Sequence, residues 1–294
     1  MAKTSYQHKK FVRSVVPPKT IRLQPRDVEM MREIAVHRFL DTKQIMTLFP
    51  GAKTNLLRRL QYLFHHGFLD RPVQQQAIYF KSRNHIIYAL GNKGADCLFA
   101  ETPELRGRAN WQIRNRDTKS LYLEHGLMIS DFYTALQNAF SKIPEVELLS
   151  WLQQETIKTY VKIAGKNAPV NPDAFFIVNR EKSNPFFLEA DRSTMTDERF
   201  LKKMIAYWEW WKAKGHEEKF HIKNFRVLTI TKSEARKENL RKITRQADPT
   251  GRGSEMFLFA AANNYNLDEP ASILEAIWQS PKDDSRHSFS DLLQ

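Results

Sequence analysis

Residues 171–178 read NPDAFFIV, and residues 186–194 read FFLEADRST. Each is a short apolar run bounded by turn-forming or polar residues, which is how a buried strand reads. Asp173 opens the first run. Glu189 and Asp191 close the second, two residues apart and so on one face of a strand. A carboxylate at the mouth of each of two neighbouring strands can hold a divalent cation through oxygen ligands, with Mg²⁺ or Mn²⁺ the expected ion. Such an ion activates water and offsets charge on a phosphate undergoing hydrolysis. A nearby lysine would orient the nucleophile or offset developing charge.

Working outward, the period alternates between helix and strand. A helix is expected over 120–141, with His125, Met128, Phe132, Ala135, Leu136 and Ala139 on its buried stripe. Strands are expected over 146–157, 172–178, 185–191, 226–231 and 256–261, a long helix over 198–214, and a basic helix over 234–245. That order is an α/β domain with a mixed sheet. His125 reads either as a hydrogen-bonded core histidine or as a metal or phosphate ligand. Trp208, Trp210 and Trp211, with Phe200, Met204 and Tyr207, lie on nearly every face of their helix, which favours core packing over base stacking. The cations Arg236, Lys237, Arg241, Lys242 and Arg245 read as a phosphate-facing surface; the alternative is a solvated face balanced by Glu234 and Glu238.

Charge divides the chain. It carries 46 Lys and Arg against 33 Asp and Glu, a net of +13. Residues 1–110 hold a surplus of eleven cations, so the basic character belongs to the first third. The expected customer is a polyanion, nucleic acid first. Residues 1–24 contain six cations and no acid, and read as a flexible basic arm. From Pro25 the pattern gives a helix to about residue 40, a short helix capped by Asp41-Thr42, and a third helix from Ala52 to His66. Leu56, Leu57, Leu60, Leu63 and Phe64 form the apolar stripe of the third helix; Asn55, Arg58 and Tyr62 face away, with Arg59 at the edge. Two short strands follow near 68–71 and 86–90, joined by an excursion holding Lys81 and Arg83.

The stretches LLRRLQYLFHHGFLDR (56–71) and IIYALGNKGAD (86–96) resemble winged helix-turn-helix domains. The resemblance implies that Lys53, Asn55, Arg58 and Arg59 enter the major groove of double-stranded DNA, where Asn reads adenine and Arg reads guanine. Lys81 and Arg83 on the wing, with the arm, would hold phosphates. The alternative use of such a fold is dimerisation. The paired-strand motif resembles the PD-(D/E)xK nuclease superfamily, except that Asp191 stands at the lysine position. In some branches the lysine has moved to the following helix; Lys203 fits, with Lys202 as the alternative and Tyr207 one turn beyond.

The motifs EHGLMISDFYTAL (124–136), PDAFFIV, FLEADRST, KMIAYWEW (203–210) and RVLTITKSEARKENL (226–240), behind a winged helix, are similar to the replication-relaxation family of plasmid proteins and to MobC-type relaxases. The resemblance implies a DNA-binding protein of a mobile element that nicks an origin-type duplex site with Mg²⁺ or Mn²⁺. Asp173, Glu189 and Asp191 would be metal ligands, and Lys203 and His125 would take part in catalysis; Tyr207 as a covalent nucleophile is a minor alternative. A second reading is a catalytically inactive regulator of plasmid replication or transcription. A third is an endonuclease subunit of a transposition system. A homodimer and mobilisation or replication proteins are the partners implied.

The expected domains are the arm 1–24, a winged helix over 25–100, a basic linker over 101–118, the nuclease-like domain over 119–265 and a polar C-terminal tail over 266–294, with Leu292 and Leu293 as a partner-docking tip. Cys97 is the only cysteine, so no intramolecular disulfide and no four-cysteine zinc site can form. No apolar run approaches membrane-spanning length and no secretory leader stands at the first residues, so a cytoplasmic location is expected. Walker, HExxH and G-x-S-x-G motifs are absent.

Overall fold

The computed structural model describes residues 9–14, 20–102, 110–248, 250 and 254–293. The chain divides into two compact units, Met1–Ser130 and Asp131–Gln294.

In the first unit, α1 (Pro25–His37) starts with proline in its first turn, and the Asp27 carboxylate accepts from Gln24 N. Strand β1 (Leu40–Asp41) leads into α2 (Thr42–Leu48), which Asp41 caps by accepting from Gln44 N at 2.9 Å. Helix α3 (Lys53–His65) ends before Gly67, whose φ of +86° lets the chain turn into β2 (Leu69–Asp70). Strand β3 (Ile87–Leu90) lies between β1 and β2, antiparallel to both. The excursion between β2 and β3 is helical: α4 (Gln75–Ile78) runs into a π turn, Tyr79–Arg83, that Asn84 closes in left-handed conformation. Next comes α5 (Asn92–Leu98). A Cβ on Gly91 would meet Gly67 O at 2.3 Å and one on Gly94 would meet Phe68 O at 2.2 Å, so the NKG turn admits only glycine at both places. Met31, Ile34, Leu40, Leu60, Leu63 and Leu69 form the core.

Part of the expected flexible arm is docked. Phe11 is buried against Tyr79 with ring centroids 5.6 Å apart, and Arg13 donates to Phe64 O and Leu69 O. Residues 1–8 and 15–19 of that arm, and 103–109 of the expected linker, lie outside the described residues. The rest of the linker contains α6 (Trp111–Arg116). Helix α7 (Ser120–Phe140) crosses the division between the units.

The second unit is built on a seven-stranded mixed sheet. Its strands are β4 (Glu147–Gln153), β7 (Ala174–Asn179), β8 (Ser183–Asp191), β9 (Arg226–Thr231), β10 (Phe257–Ala261), β11 (Trp278–Gln279) and β12 (Arg286–His287), in spatial order β12-β11-β10-β9-β8-β7-β4. The central β8, β9 and β10 are parallel; the outer pairs are antiparallel. Alternation along the strands sorts the aromatics. Phe176 and Phe186 stack at 5.1 Å on one face with Trp151 and Phe132 of α7. Phe175 and Phe187 lie on the other, under α8 (Asp197–Lys212), α9 (Gly215–Phe220) and α10 (Glu234–Thr244).

Two parts of this unit depart from the sequence expectation. A β-hairpin, β5 (Thr159–Ile163) and β6 (Lys166–Val170), stands where no element was expected. Its signal is the alternating TYVKI followed by Ala164-Gly165, both at positive φ as a two-residue hairpin turn requires. The polar C-terminal tail is also folded. It supplies β11 and β12 to the sheet edge, and Ile273, Trp278, Phe289, Leu292 and Leu293 are buried, so the two leucines are core residues rather than a docking tip.

Candidate functional site

The site lies where β7 begins and β8 ends. Asp173 N donates to Leu188 O at 2.9 Å, and the Asp173 carboxylate accepts from Ala190 N at 2.8 Å. Its carboxylate is thereby pinned across the backbone of Glu189–Ala190. Alternation on β8 turns Glu189 under α8. Lys203 and Tyr207 are one turn apart on that helix, so both reach the same side chain. The Lys203 ammonium lies on Glu189 Oε2, and the Tyr207 hydroxyl donates to Glu189 Oε1 at 2.7 Å. Thr196 caps α8 at its start. The structure thus brings Asp173, Glu189, Lys203 and Tyr207 to one place.

Their electrostatics follow from burial. Glu189 is 3% exposed, and its carboxyl is raised to about 7 by loss of solvent, with the Asp173 charge acting in the same direction and Lys203 against it. Burial pulls the Lys203 ammonium down, but the charges of Glu189 and Asp173 outweigh it and hold it above its ordinary value. Burial and the Glu189 charge push the Tyr207 hydroxyl well up.

Asp191 is engaged by a different helix from the one that meets Glu189. Arg236 of α10 grips it through Nε at 2.9 Å and Nη2 at 3.3 Å, and reaches on to Asp197 and to Met195 O. Among the described residues no three His, Cys, Asp or Glu side chains stand together as a ready-made metal cage. His125 is half-buried on α7, within the first unit. Lys202 is exposed and paired with Glu198.

The basic helix α10 also serves a different end from the expected phosphate surface. Lys237 and Arg241 are buried, at 1% and 2% exposure. Lys237 donates to Gln279 Oε1; Arg241 donates to Ser280 O, Glu238 and Asp284; Arg245 donates to Pro281 O. These three recur at intervals of four, so one face of α10 clamps the loop between β11 and β12. The sequence signal was their place on the same stripe as Leu240 and Thr244.

In the first unit, Lys53, Asn55 and Arg58 are exposed along α3, and Arg58 donates to Asn55 Oδ1. Arg59 instead donates to the buried Asp27 through Nε at 2.7 Å, and to Arg22 O. Arg83 donates to Asp41 Oδ2 at 2.7 Å, bracing the cap of α2. Lys81 belongs to the π turn; its side chain lies outside the described residues. A cavity of about 450 Å³ opens between α1 and α3, lined by Arg26, Asn55, Arg58 and Tyr62. The surface that α3 presents is thus Lys53, Asn55 and Arg58, with Arg59 used to hold α1 and α3 together.

A family model described as replication-relaxation matches residues 31–227. No curated protein and no solved structure matches the chain.

Proposed function

The chain belongs to the replication-relaxation family, and from that premise we propose that it recognises an origin-type duplex site on a plasmid or other mobile element and nicks it with a divalent cation. Membership itself points to plasmid replication or mobilisation. The observation that carries the finer reading is the convergence of Asp173, Glu189 and Lys203, with the lysine supplied by α8 rather than by β8. The order α7-β4-β7-β8-α8-β9, with β8 and β9 parallel, supports a PD-(D/E)xK reading of the second unit. The order α1-β1-α2-α3-β2-β3 supports a winged helix with α3 in the major groove.

The donor chemistry fits a hard cation. Asp173 and Glu189 supply oxygens, and Mg²⁺ is commonly bound by one or two carboxylates together with substrate phosphate and water. Bound there, the cation would activate water and stabilise charge on the phosphate. Asp173 fixes one side of the site and Lys203 offsets negative charge as water adds to phosphorus. The P–O bond to the leaving sugar oxygen breaks; the attacking water gives up one proton to solvent, and the leaving oxygen takes one up. Tyr207 orients Glu189.

The test is nicking of supercoiled plasmid carrying the cognate origin, with Mg²⁺ or Mn²⁺. Wild type is expected to relax it, while Asp173→Ala and Lys203→Ala lose activity by at least about a hundredfold, the scale of a removed charge-stabilising group. Nicking that survives in Asp173→Ala rules out this centre. The second reading, an inactive nuclease fold that regulates by binding, is favoured by one observation: both Glu189 oxygens are already engaged, by Lys203 and Tyr207. Binding without nicking in any of the proteins would establish it.

A further inference from the structure

A cleft of about 590 Å³ separates the β5–β6 hairpin from α8. One wall is the hairpin, with Ile163 paired opposite Lys166 and Ala168 following on the same face, and Asn171 just past the end of β6; the other is Met195, Arg199, Lys202, Lys203 and Ile205 of the α8 segment. Four cations line it and no carboxylate does. Lys202 is paired with Glu198 and Lys203 with Glu189, but Lys166 and Arg199 are exposed and have no acidic partner among the described residues. Asn171 Oδ1 is buried in the wall and makes no hydrogen bond.

We propose that this cleft holds a single DNA strand beside the Asp173–Glu189 site, with Lys166 and Arg199 on successive phosphates. The inference rests on the nuclease reading for its purpose but not for its geometry. A cation-lined channel with apolar wall residues is the arrangement that tracks a single strand, where phosphates meet charge and bases meet apolar surface. The volume is that of a small-molecule pocket, a size that suits one nucleotide unit. Lys203 belongs both to the cleft and to the Glu189 pair, so a strand lying in the cleft passes the candidate centre. The hairpin continues the charge on its outward face. Lys158, Tyr160 and Lys162 alternate there, and Tyr160 is 63% exposed, leaving its ring open for a base to stack.

The test is fluorescence anisotropy of the full chain with labelled oligothymidine and with a labelled duplex, over a range of salt. Lys166→Glu with Arg199→Glu should weaken oligothymidine binding about tenfold and reduce the salt slope by about 1.4, the value for two single-strand phosphates at about 0.7 each. Duplex binding should stay within about twofold and fall instead in Lys53→Glu with Arg58→Glu. Lys166→Gln with Arg199→Gln, which replaces exposed side chains only, should show the same direction at smaller size and verifies that folding is intact. Unchanged oligothymidine affinity in both cleft variants, or an equal loss for duplex and single strand, overturns the proposal. If the cleft variants lose the strand while no protein nicks, the cleft stands and the nuclease reading falls.

Discussion

Helices α3 and α10 are both rich in arginine and lysine, yet they use their charge in opposite ways. Along α3 the apolar stripe is clean, and Lys53, Asn55 and Arg58 point to solvent. Along α10 two of the cations, Lys237 and Arg241, fall inside the buried stripe and are enclosed, and Arg236 grips Asp191. A helix that keeps cations off its apolar stripe has them available for a ligand. A helix that places them on that stripe must find acceptors within the protein, because an unpaired buried charge costs several kcal/mol. Charge density alone does not separate the two; position relative to the stripe does.

The largest break in this contrast is expected from Arg241→Ala. It strips the donor from the buried Ser280 O, and from Glu238 and Asp284, whose carboxylates reach solvent. The space left by the enclosed side chain, together with a buried carbonyl left without its donor, costs about 3–5 kcal/mol and lowers the Tm of the second unit by roughly 10 °C. The neighbouring Lys242→Ala, at an exposed position, should change stability by less than about 0.5 kcal/mol. Equal melting of the two variants would show that the β11–β12 clamp carries little energy. A smaller loss is expected from Arg59→Ala, which leaves the buried Asp27 short of its main donor. About 1–3 kcal/mol is the cost of an acceptor buried without its partner. Chemical denaturation should detect it as a lower midpoint with unchanged slope.

The sequence was most legible where a local pattern decides the outcome. RVLTIT is β9 from end to end, because an apolar run in the middle of a parallel trio needs no partner information to be read as buried. Lys203 and Tyr207 were placed by helical spacing, and Asp173 and Glu189 by strand ends. What could not be read was pairing across long separations. Strands β11 and β12 are two residues each, too short to carry a period, and exist because β10 and α10 offer them an edge and a clamp. The same distance hid the role of α10, since its acceptors lie in the loop around residues 279–284. Glu189 and Asp191 share a face of β8, and only the packing shows that α10 brings Arg236 to Asp191 while α8 brings Lys203 to Glu189.

The finest separation between the two helices comes from residues adjacent in sequence. Arg58 and Arg59 differ by about 100° around α3, which is enough to put one in solvent and the other against Asp27. Arg58→Ala, alone or with Asn55→Ala, breaks only a surface hydrogen bond between the two side chains, so the stability of the first unit should move by less than about 0.5 kcal/mol. If α3 reads base edges, the same change should weaken duplex binding by about 1–3 kcal/mol and relax the preference at the contacted base pair. If Arg58 meets phosphate instead, affinity should fall alike on every duplex and the salt slope should drop by about 0.9. Binding measured on cognate and scrambled duplexes at two salt concentrations tells these apart. Loss of stability in place of affinity would mean that α3 resembles α10 after all, with its exposed arginine serving the fold rather than the DNA.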